Sequence, residues 1–555
     1  MSPLVSVPAL AALSVLVIRL VVQPAPAGSP TSGAQGIVST SAGSAAPLAI
    51  REHVLDNGMR ILVVEDHRAP RVAANLWIRV GSIQEPVGLH GITHFLEHAL
   101  HQGSTTFGTT NLAAEWPLLT RIHETEQRLI AVRHRERNRF RERGVFYDEL
   151  AWPSTPEIDS LRGELYRLED EDSRYREFWE SYRWYLRYGG QTRHTDPVPA
   201  STEQEYMEIG MALPSNALEL FFRVEADRMV NAVLRGWEAQ RFTVLEQILG
   251  ARSRPQIRFA EAIDGVTGMN HPVYQPDGGH PRDFNNFTRA AMIDLYQRYF
   301  VPNNLTLVLV GDVTLARAVA LGERYFGALP RGPEPPADLD LEAELVPSGA
   351  VGLDWAEPLS PQVHLRYRIP GIGHPDRPVV DVIAAILGGP GGLAARRLQS
   401  LASTHADFRV IHTARFGSPA AVNLVAVGTR DLDLPEIERA LLAAVDDLRE
   451  GRFDLAVLAR AQKRLRLEWA KTRNRPMELA FAIGHYHTMN HWSTLAELLG
   501  ARDSATVDQV VRVARTYLIP SNRVIAVARS APPAPLGPSW LDSAWSHQRT
   551  GGAPR

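Results

Sequence analysis

The sequence predicts two duplicated domains that each combine strands and helices, with a helical hairpin inserted in the first domain. Three patterns support this fold. Asn57-Gly58 separates two β-prone runs between His53 and Val64, which is a strong signal for a hairpin turn. A helix–turn–strand unit recurs 218 positions later in the chain. A long charged segment inside the first copy carries apolar residues at helical spacing.

The repeated unit indicates where the two copies lie. Tyr299–Leu309 and Tyr517–Val527 both read as a helix end, a Pro-containing turn and a β-strand, and corresponding positions are 218 residues apart. A Pro- and Gly-rich stretch that begins at Pro330 is the natural linker. The predicted boundaries are 48–330 for the first domain, 331–345 for the linker, 346–532 for the second domain and 533–555 for a Pro/Gly-rich tail.

Composition excludes several classes of function. The chain has 555 residues, of which 45% are hydrophobic and 22% charged, and this balance is typical of a globular protein. Its net charge of −3 argues against a nucleic-acid or anionic-membrane partner. The absence of cysteine rules out disulfides, thiolate zinc ligands and a cysteine nucleophile.

The N-terminus has features of an exported protein. An apolar run precedes Ala25-Pro26-Ala27, a small-x-small pattern of the kind that signal peptidase cleaves. We therefore predict a possible signal peptide over 1–27, a flexible Ser/Gly/Ala/Pro-rich linker over 28–47, and a periplasmic or secreted protein without an integral membrane span in the mature chain. Arg19 interrupts the apolar run, which leaves a misplaced start codon and a cytoplasmic location as alternatives.

The inserted segment, 111–196, reads as two antiparallel helices. The first helix lies around Trp116 to Arg143, and a turn-rich link follows it. In the second helix, apolar residues follow one another at steps of four and three, at Leu161, Leu165, Leu168, Tyr175, Trp179, Tyr182 and Leu186. Glu136 and Glu142 are interleaved with the arginines that end the first helix, and acids balance the segment, which favours a solvated face over a polyanion site.

The strongest chemical signal is the string His94-Phe95-Leu96-Glu97-His98, read as part of a helix. His94 and His98 are at i and i+4, so both imidazoles lie on one face, and Glu97 lies beside them. Two neutral imidazoles can bind zinc, and a neighbouring carboxylate can act as a general base. The alternative is a surface helix that carries these three residues by chance.

The flanks of this string resemble a known family. The stretch from Val80 to His98 is similar to V-G-S-x-x-E-x-x-x-x-G-x-A-H-F-L-E-H of the insulinase/pitrilysin (M16) zinc metallopeptidases. The resemblance implies a zinc endopeptidase that acts on unfolded peptides or small proteins, in which His94 and His98 bind Zn²⁺ and Glu97 activates water. It also implies two α+β domains, each an antiparallel-rich sheet with helices on one face. The second domain lacks the motif and is expected to be non-catalytic.

The resemblance also implies a partner. Longer members of the family hold four such domains in one chain and close around a peptide, whereas this chain has two. It resembles a half-clam subunit that forms a homodimer, or a heterodimer with a second M16-type subunit.

The third zinc ligand departs from the family pattern. Aligned on Arg241 and Val244, the family string E-R-x-x-V-x-x-E places its final Glu on Gln247 and its outer Glu on Gln240. Glu246 is one residue away, which is about 100° around a helix, so it reaches the same metal only if the register shifts. Gln247 and Glu246 both remain candidates.

A second departure concerns substrate binding. The family string N-A-x-T, on the edge strand that pairs with substrate, becomes Pro199-Ala200-Ser201-Thr202, and Pro199 has no N–H to donate. Together with the two glutamines, this change leaves open a degenerate member that acts as a partner subunit or peptide-binding scaffold. The intact His94, Glu97 and His98 favour the peptidase.

The other histidines are predicted to be structural. His271 lies in a string similar to the A-H-P-Y-G loop of the family, and His280 follows it closely. His487 and His491 share a helix face but have no acidic residue nearby to complete a metal site.

Overall fold

The computed structural model describes residues 48–144, 154–193, 199–268, 274–276, 278–334, 351–355, 357, 359–389, 391–401, 407–412, 420–428 and 433–529. The chain divides into two compact units. The first unit comprises Met1–Gly250, Gln275–Leu339 and Glu468–Gly500, and the second comprises Ala251–Tyr274, Asp340–Leu467 and Ala501–Arg555.

The strands of the described residues are β1 (Arg51–Val54), β2 (Arg60–Glu65), β3 (Arg71–Ile78), β4 (Ala200–Thr202), β5 (Met207–Pro214), β6 (Leu305–Gly311), β7 (Val351–Trp355), β8 (Gln362–Ile369), β9 (Asp407–His412), β10 (Ala420–Val427) and β11 (Arg523–Ala528). The α-helices are α1 (Ile92–Leu100), α2 (Leu112–Glu142), α3 (Pro156–Ser173), α4 (Glu180–Arg187), α5 (Leu218–Asn231), α6 (Trp237–Arg252), α7 (Pro255–Gly268), α8 (Arg289–Tyr299), α9 (Leu315–Tyr325), α10 (Arg377–Gly388), α11 (Leu393–Gln399), α12 (Leu434–Glu450), α13 (Leu455–Arg473), α14 (Pro476–Met489), α15 (Ser493–Ser504) and α16 (Val507–Tyr517).

Each unit contains one mixed sheet. The strand orders are β1-β2-β6-β3-β5-β4 in the first unit and β7-β11-β8-β10-β9 in the second. One pair in each sheet is parallel, β2 with β6 and β7 with β11, and the other pairs are antiparallel. The order from β2 to β4 matches the order from β7 to β9, and β6 and β11 are the strands of the 218-residue repeat. The predicted α+β fold with two duplicated domains is confirmed.

Both faces of each sheet are covered by helices. One face of the first sheet packs on α1, α5 and α9. The other face carries Trp77 and is covered by α14, where a Cβ added to Gly484 would lie 2.0 Å from the Trp77 Nε1 atom. In the second unit, α7 covers one face of the sheet as α14 does in the first, and its Phe259 and Ile263 pack on β11. The family resemblance implied helices on one face, so these two helices are an addition to the expected architecture.

The helices α7 and α14 are exchanged between the halves of the chain. α7 precedes the linker in sequence but belongs to the second unit, and α14 follows the linker but belongs to the first. The boundaries drawn at 331–345 remain predictions about the sequence, and they do not describe this exchange. Among the described residues, one stretch, Arg377–Gln399, has the length and apolar composition to cross a membrane. It includes α10 and α11, and most of it is buried within the protein, as core helices are.

The inserted segment forms the predicted antiparallel hairpin. Ion pairs between Arg128 and Glu164 and between Arg135 and Glu157 run across α2 and α3. The buried contacts between the two helices are made by Leu118, Ile122, Leu129, Val132, Ile158, Leu161, Leu165 and Leu168.

The heptad seam ends earlier than predicted. α3 stops at Ser173, Trp179 takes a left-handed φ of +57°, and a separate helix, α4, begins at Glu180. The Glu180 carboxylate accepts a hydrogen bond from the Gly108 N–H (2.6 Å), and the Tyr185 hydroxyl donates one to Glu225 (2.7 Å). These contacts anchor α4 to the domain core, so the single helix predicted to continue to Leu186 is wrong beyond Ser173.

Two buried ion pairs join the hairpin to the first domain. Arg235 Nε and Nη2 donate to the two Glu115 oxygens, at 2.7 and 3.1 Å. Arg289 of α8 binds Glu126 of α2 in the same two-point manner, with Nη2 3.0 Å from Oε1. All four side chains are almost fully buried. A buried pair of this kind stabilises little relative to an apolar pair, but losing one partner leaves an uncompensated charge.

We expect Glu126→Gln to lower the free energy of unfolding of the first unit by about 3–5 kcal/mol, because Arg289 would lose its counter-charge in a buried site. The matched control is Glu124→Gln, an exposed glutamate on the same helix, which should change stability by no more than about 0.5 kcal/mol. Urea denaturation followed by circular dichroism measures both. Equal shifts of the two midpoints would show that the Glu126–Arg289 pair does not hold the hairpin.

Candidate functional site

Two features fix the first turn of α1, the helix that carries the predicted zinc ligands. Gly91 has a φ of +101°, which favours glycine, and a Cβ there would lie 2.6 Å from the Gly278 carbonyl oxygen. The buried Glu85 carboxylate accepts hydrogen bonds from the N–H groups of Gly91 (2.7 Å) and Thr93 (2.8 Å). These bonds satisfy donors that a helix N-terminus leaves without intrahelical partners.

His94 and His98 lie one turn apart on the same side of α1, as their spacing predicts. Their ring centroids are 5.1 Å apart. Burial, together with the neighbouring His98, lowers the pKa of His94 to about 3. Burial also lowers the pKa of His98. Both rings are therefore neutral near pH 7, which is the form that binds a metal ion.

Glu97 is buried beside the two histidines, and the hydroxyl of Thr202 donates a hydrogen bond to its Oε2 atom. Burial raises the pKa of Glu97 to about 7, and the nearby charges of Glu203 and Glu208 act in the same direction, while the Thr202 hydrogen bond opposes them. Thr202 is on β4, so the edge strand of the first sheet holds the carboxylate of α1 in place.

The helix α6 presents both family-aligned glutamines to His98. Gln240 and Gln247 are seven residues apart, about two helical turns, so they share a face. Both side chains hydrogen-bond His98, which raises its pKa against the effect of burial. Gln247 is solvent-exposed, so the site is open on this side. Glu246 is also exposed, and it belongs to the neighbouring face of the helix.

The donor atoms at this site are nitrogens and amide oxygens. Among the described residues, no group of three or more His, Asp, Glu or Cys side chains is arranged to hold a metal ion. Two neutral imidazoles and the Gln247 amide oxygen still form a nitrogen and oxygen set that suits zinc. The residues present therefore fit a zinc ion, with a neutral group in place of the carboxylate of the family pattern.

The backbone at Pro199 changes the expectation for substrate pairing. The Gly210 N–H donates to the Pro199 carbonyl at 2.6 Å, which makes these residues a hydrogen-bonded pair of the β4–β5 ladder. In such a pair both N–H positions point toward the partner strand. The donor that proline lacks therefore faces β5. Ala200 and Thr202 are the residues whose backbone groups point to the outer edge, so Pro199 does not weaken pairing there.

The histidines that the sequence predicts to be structural have other contacts where they are described. His280 Nε2 is 2.7 Å from Gln275 Oε1, and its ring contacts His90 near the start of α1, with 5.6 Å between the centroids. His271 lies outside the described residues. The rings of His487 and His491 are 5.6 Å apart. Burial, with Arg60 and Arg79 nearby, lowers the pKa of His487 to about 3, and those arginines disfavour a cation.

Sequence reasoning missed the roles of Glu85 and Thr202. Both occur in strings that carry the family resemblance, Glu85 in V-G-S-x-x-E and Thr202 in N-A-x-T. Their presence in those strings was a usable signal. The contacts themselves, a helix cap and a hydrogen bond to the candidate base, required the three-dimensional arrangement.

Two protein-family descriptions match parts of this chain. Residues 60–118 match the family "Insulinase (Peptidase family M16)", and residues 286–465 match "Peptidase M16 inactive domain". An uncharacterized zinc protease of Mycobacterium tuberculosis is 23% identical over 485 residues, which cover 85% of this chain and 92% of the relative.

Solved structures show the same fold. A protease from Helicobacter pylori superposes with a TM-score of 0.67 at 18% identity, covering 86% of this chain and 99% of that one. Pitrilysin superposes with a TM-score of 0.61 at 17% identity, covering 89% of this chain but 46% of pitrilysin. With two α+β domains, a match to both family descriptions and about half the length of pitrilysin, this chain belongs to the M16 (insulinase/pitrilysin) peptidase family, as a half-clam-sized chain with an N-terminal and a C-terminal domain.

Proposed function

We propose that this protein is a zinc-dependent endopeptidase that hydrolyses peptide bonds of unfolded peptides or small proteins. The observation that carries the proposal is the convergence of three elements. α1 presents His94 and His98 with Glu97 beside them, α6 presents Gln247 to His98, and β4 contacts Glu97 through Thr202.

Each residue has a defined part in the proposed reaction. His94 and His98 would hold the zinc ion, with the Gln247 amide oxygen as the third donor. When bound, zinc supplies a Lewis acid for the scissile carbonyl and lowers the pKa of water. Glu97 takes a proton from the attacking water and delivers it to the leaving amine. The Thr202 hydroxyl is a positioning group that keeps the Glu97 carboxylate turned toward the histidines.

The edge of the first sheet gives the substrate a place to bind. β4 is the last strand of the sheet, and the backbone groups of Ala200 and Thr202 point away from β5. An extended peptide can add to such an edge as a further strand. A peptide paired there would pass the side of the sheet where Thr202 meets Glu97, which brings its backbone to the candidate base.

A second candidate function is favoured by the glutamines at the site. Gln240 and Gln247 both contact His98, and neither carries the charge that a zinc ligand of the family pattern would have. A chain that binds zinc too weakly to work would act as a partner subunit or peptide-binding scaffold. Such a protein would bind unfolded peptides through β4 and leave them intact when zinc is in excess.

The partner and the location are part of the same proposal. Because the chain spans 46% of pitrilysin, we propose that it pairs with a second copy or with another M16-type subunit. Light scattering that gives the mass of one chain, both for the protein alone and for its mixtures with purified candidate subunits, would contradict this pairing.

We also propose a periplasmic or secreted location. Recovery of the uncleaved chain in the cytoplasmic fraction would support the cytoplasmic alternative.

We expect Glu97→Gln to reduce the peptidase kcat of the zinc-loaded protein by at least roughly 100-fold, because general base catalysis contributes about 10²–10⁴-fold. The assay measures cleavage of a quenched fluorescent unfolded peptide with zinc added. Glu124→Gln, an exposed substitution of the same kind on α2, serves as the control and should keep the activity. A zinc-loaded wild type without activity would reject the peptidase and leave the scaffold.

We expect Gln247→Glu to strengthen zinc binding by roughly tenfold or more, since a carboxylate would replace a neutral donor beside His98. Zinc per chain after dialysis against a competing chelator measures the change. Glu246→Gln separates the two candidate ligands, and it should leave zinc binding as it is. Loss of zinc from Glu246→Gln, with no gain from Gln247→Glu, would assign the third position to Glu246.

A further inference from the structure

A cavity of about 340 Å³ lies where the inserted hairpin meets α6 and the loop after Gly279. Its volume is within the range of about 300–1,000 Å³ that is common for small-molecule sites. The residues that line it come from α2, α3, α6 and the 281–285 segment, and His94, Glu97 and His98 are not among them. Neither the proposed reaction nor the family resemblance accounts for it, because the hairpin is the inserted part of the chain.

The charged side chains around the cavity are mostly arginines. Arg133 of α2, Arg162 of α3 and Arg241 of α6 line it, together with one carboxylate, Glu238. The three positive charges and one negative charge of this lining leave an excess of two positive charges. Arg133 and Arg241 are largely buried, with side-chain exposures of 8% and 16%, so their charges act with little screening by water.

Glu238 forms ion pairs with two of these arginines, and the pair with Arg241 is the closer one. Arg241 Nη2 is 2.6 Å from Glu238 Oε2, whereas Arg133 Nη1 is 4.0 Å from Glu238 Oε1. Arg162 is 3.8 Å from Asp159, a half-exposed carboxylate on its own helix. Burial lowers the pKa of Arg133 to about 10. The charge of Glu238 opposes this effect, whereas the positive charges of Arg241 and Arg162 add to it. An anion in the cavity would offset this repulsion.

Apart from Asn285, the remaining walls are largely apolar. Leu245 of α6 and the ring of Tyr166 from α3 line the cavity beside the arginines. The guanidinium group suits carboxylate and phosphate oxygens because it offers donors in a planar fork. Arginines at one part of a pocket and apolar walls at the rest match a ligand with an anionic group on an apolar body.

We propose that this cavity binds a small organic anion, a carboxylate or phosphate monoester carried on an aromatic or aliphatic body. The ligand bridges the hairpin and α6, with Arg133 and Arg162 at its anionic group and Leu245 and Tyr166 against its body. The site is independent of the proposed peptidase activity. Its occupant is either a phosphate monoester or the C-terminal carboxylate of a peptide, and the two share this anionic chemistry.

The test is calorimetric titration of the zinc-loaded protein with phenyl phosphate, N-benzoylglycine and inorganic phosphate. Phenyl phosphate and N-benzoylglycine represent the phosphate ester and the peptide C-terminus, and the tighter of the two identifies the source. Arg162→Gln should weaken binding roughly tenfold or more, because a hydrogen bond to a charged group is lost. Arg128→Gln, an exposed arginine of α2 that does not line the cavity, is the matched control and should bind as the wild type does.

Leu245→Phe keeps every charge and reduces the space, so it should also weaken binding if the ligand occupies this cavity. It provides a second variant if Arg162→Gln fails to fold, as judged by circular dichroism. Failure of all three probes to bind wild type would overturn the proposal, as would equal effects of Arg162→Gln and Arg128→Gln. Inorganic phosphate binding as tightly as phenyl phosphate would overturn the role given to the apolar walls.

Discussion

The packing of Trp237 fixes where α6 lies, and the candidate site depends on that position. Trp237 is the first residue of α6, and its ring packs against Phe95 of α1, with centroids 4.7 Å apart. The Arg289 guanidinium also lies 4.9 Å from the centroid of the Trp237 ring, in a cation–π arrangement. Arg289 in turn binds Glu126 of the inserted hairpin. A continuous set of buried contacts thus connects α1, α6, α8 and α2.

This set of contacts gives the inserted hairpin a structural role at the site. Phe95 lies between the proposed ligands His94 and His98 in sequence, and Gln240 follows Trp237 by about one helical turn. Any shift of Trp237 would therefore change the distance between Gln240 or Gln247 and His98. The hairpin contacts α6 at two points. Glu126 binds Arg289, which packs on Trp237 at the start of α6, and Arg133 forms an ion pair with Glu238 of α6. An anion bound between the hairpin and α6 would act on the same helix.

Helix geometry made the central part of the site predictable from the sequence. The spacing of His94, Glu97 and His98 is a local property, and the duplicated strand units, β6 and β11, were visible as a 218-residue repeat. The exchange of α7 and α14 was not predictable from the sequence, because the amphipathic pattern of a helix does not indicate which sheet the helix covers. The hydrogen bond from Thr202 to Glu97 and the direction of the Pro199 backbone depend on the register of β4 with β5, which only the fold defines.

We propose that His94, His98 and Gln247 bind one zinc ion. The most direct measurement is a crystal structure of the zinc-soaked protein with anomalous data at the zinc edge. The account predicts a single peak about 2.0–2.2 Å from an imidazole nitrogen of each histidine and from the Gln247 amide oxygen. A peak held by Glu246 instead of Gln247, or no peak between His94 and His98 at saturating zinc, would contradict it.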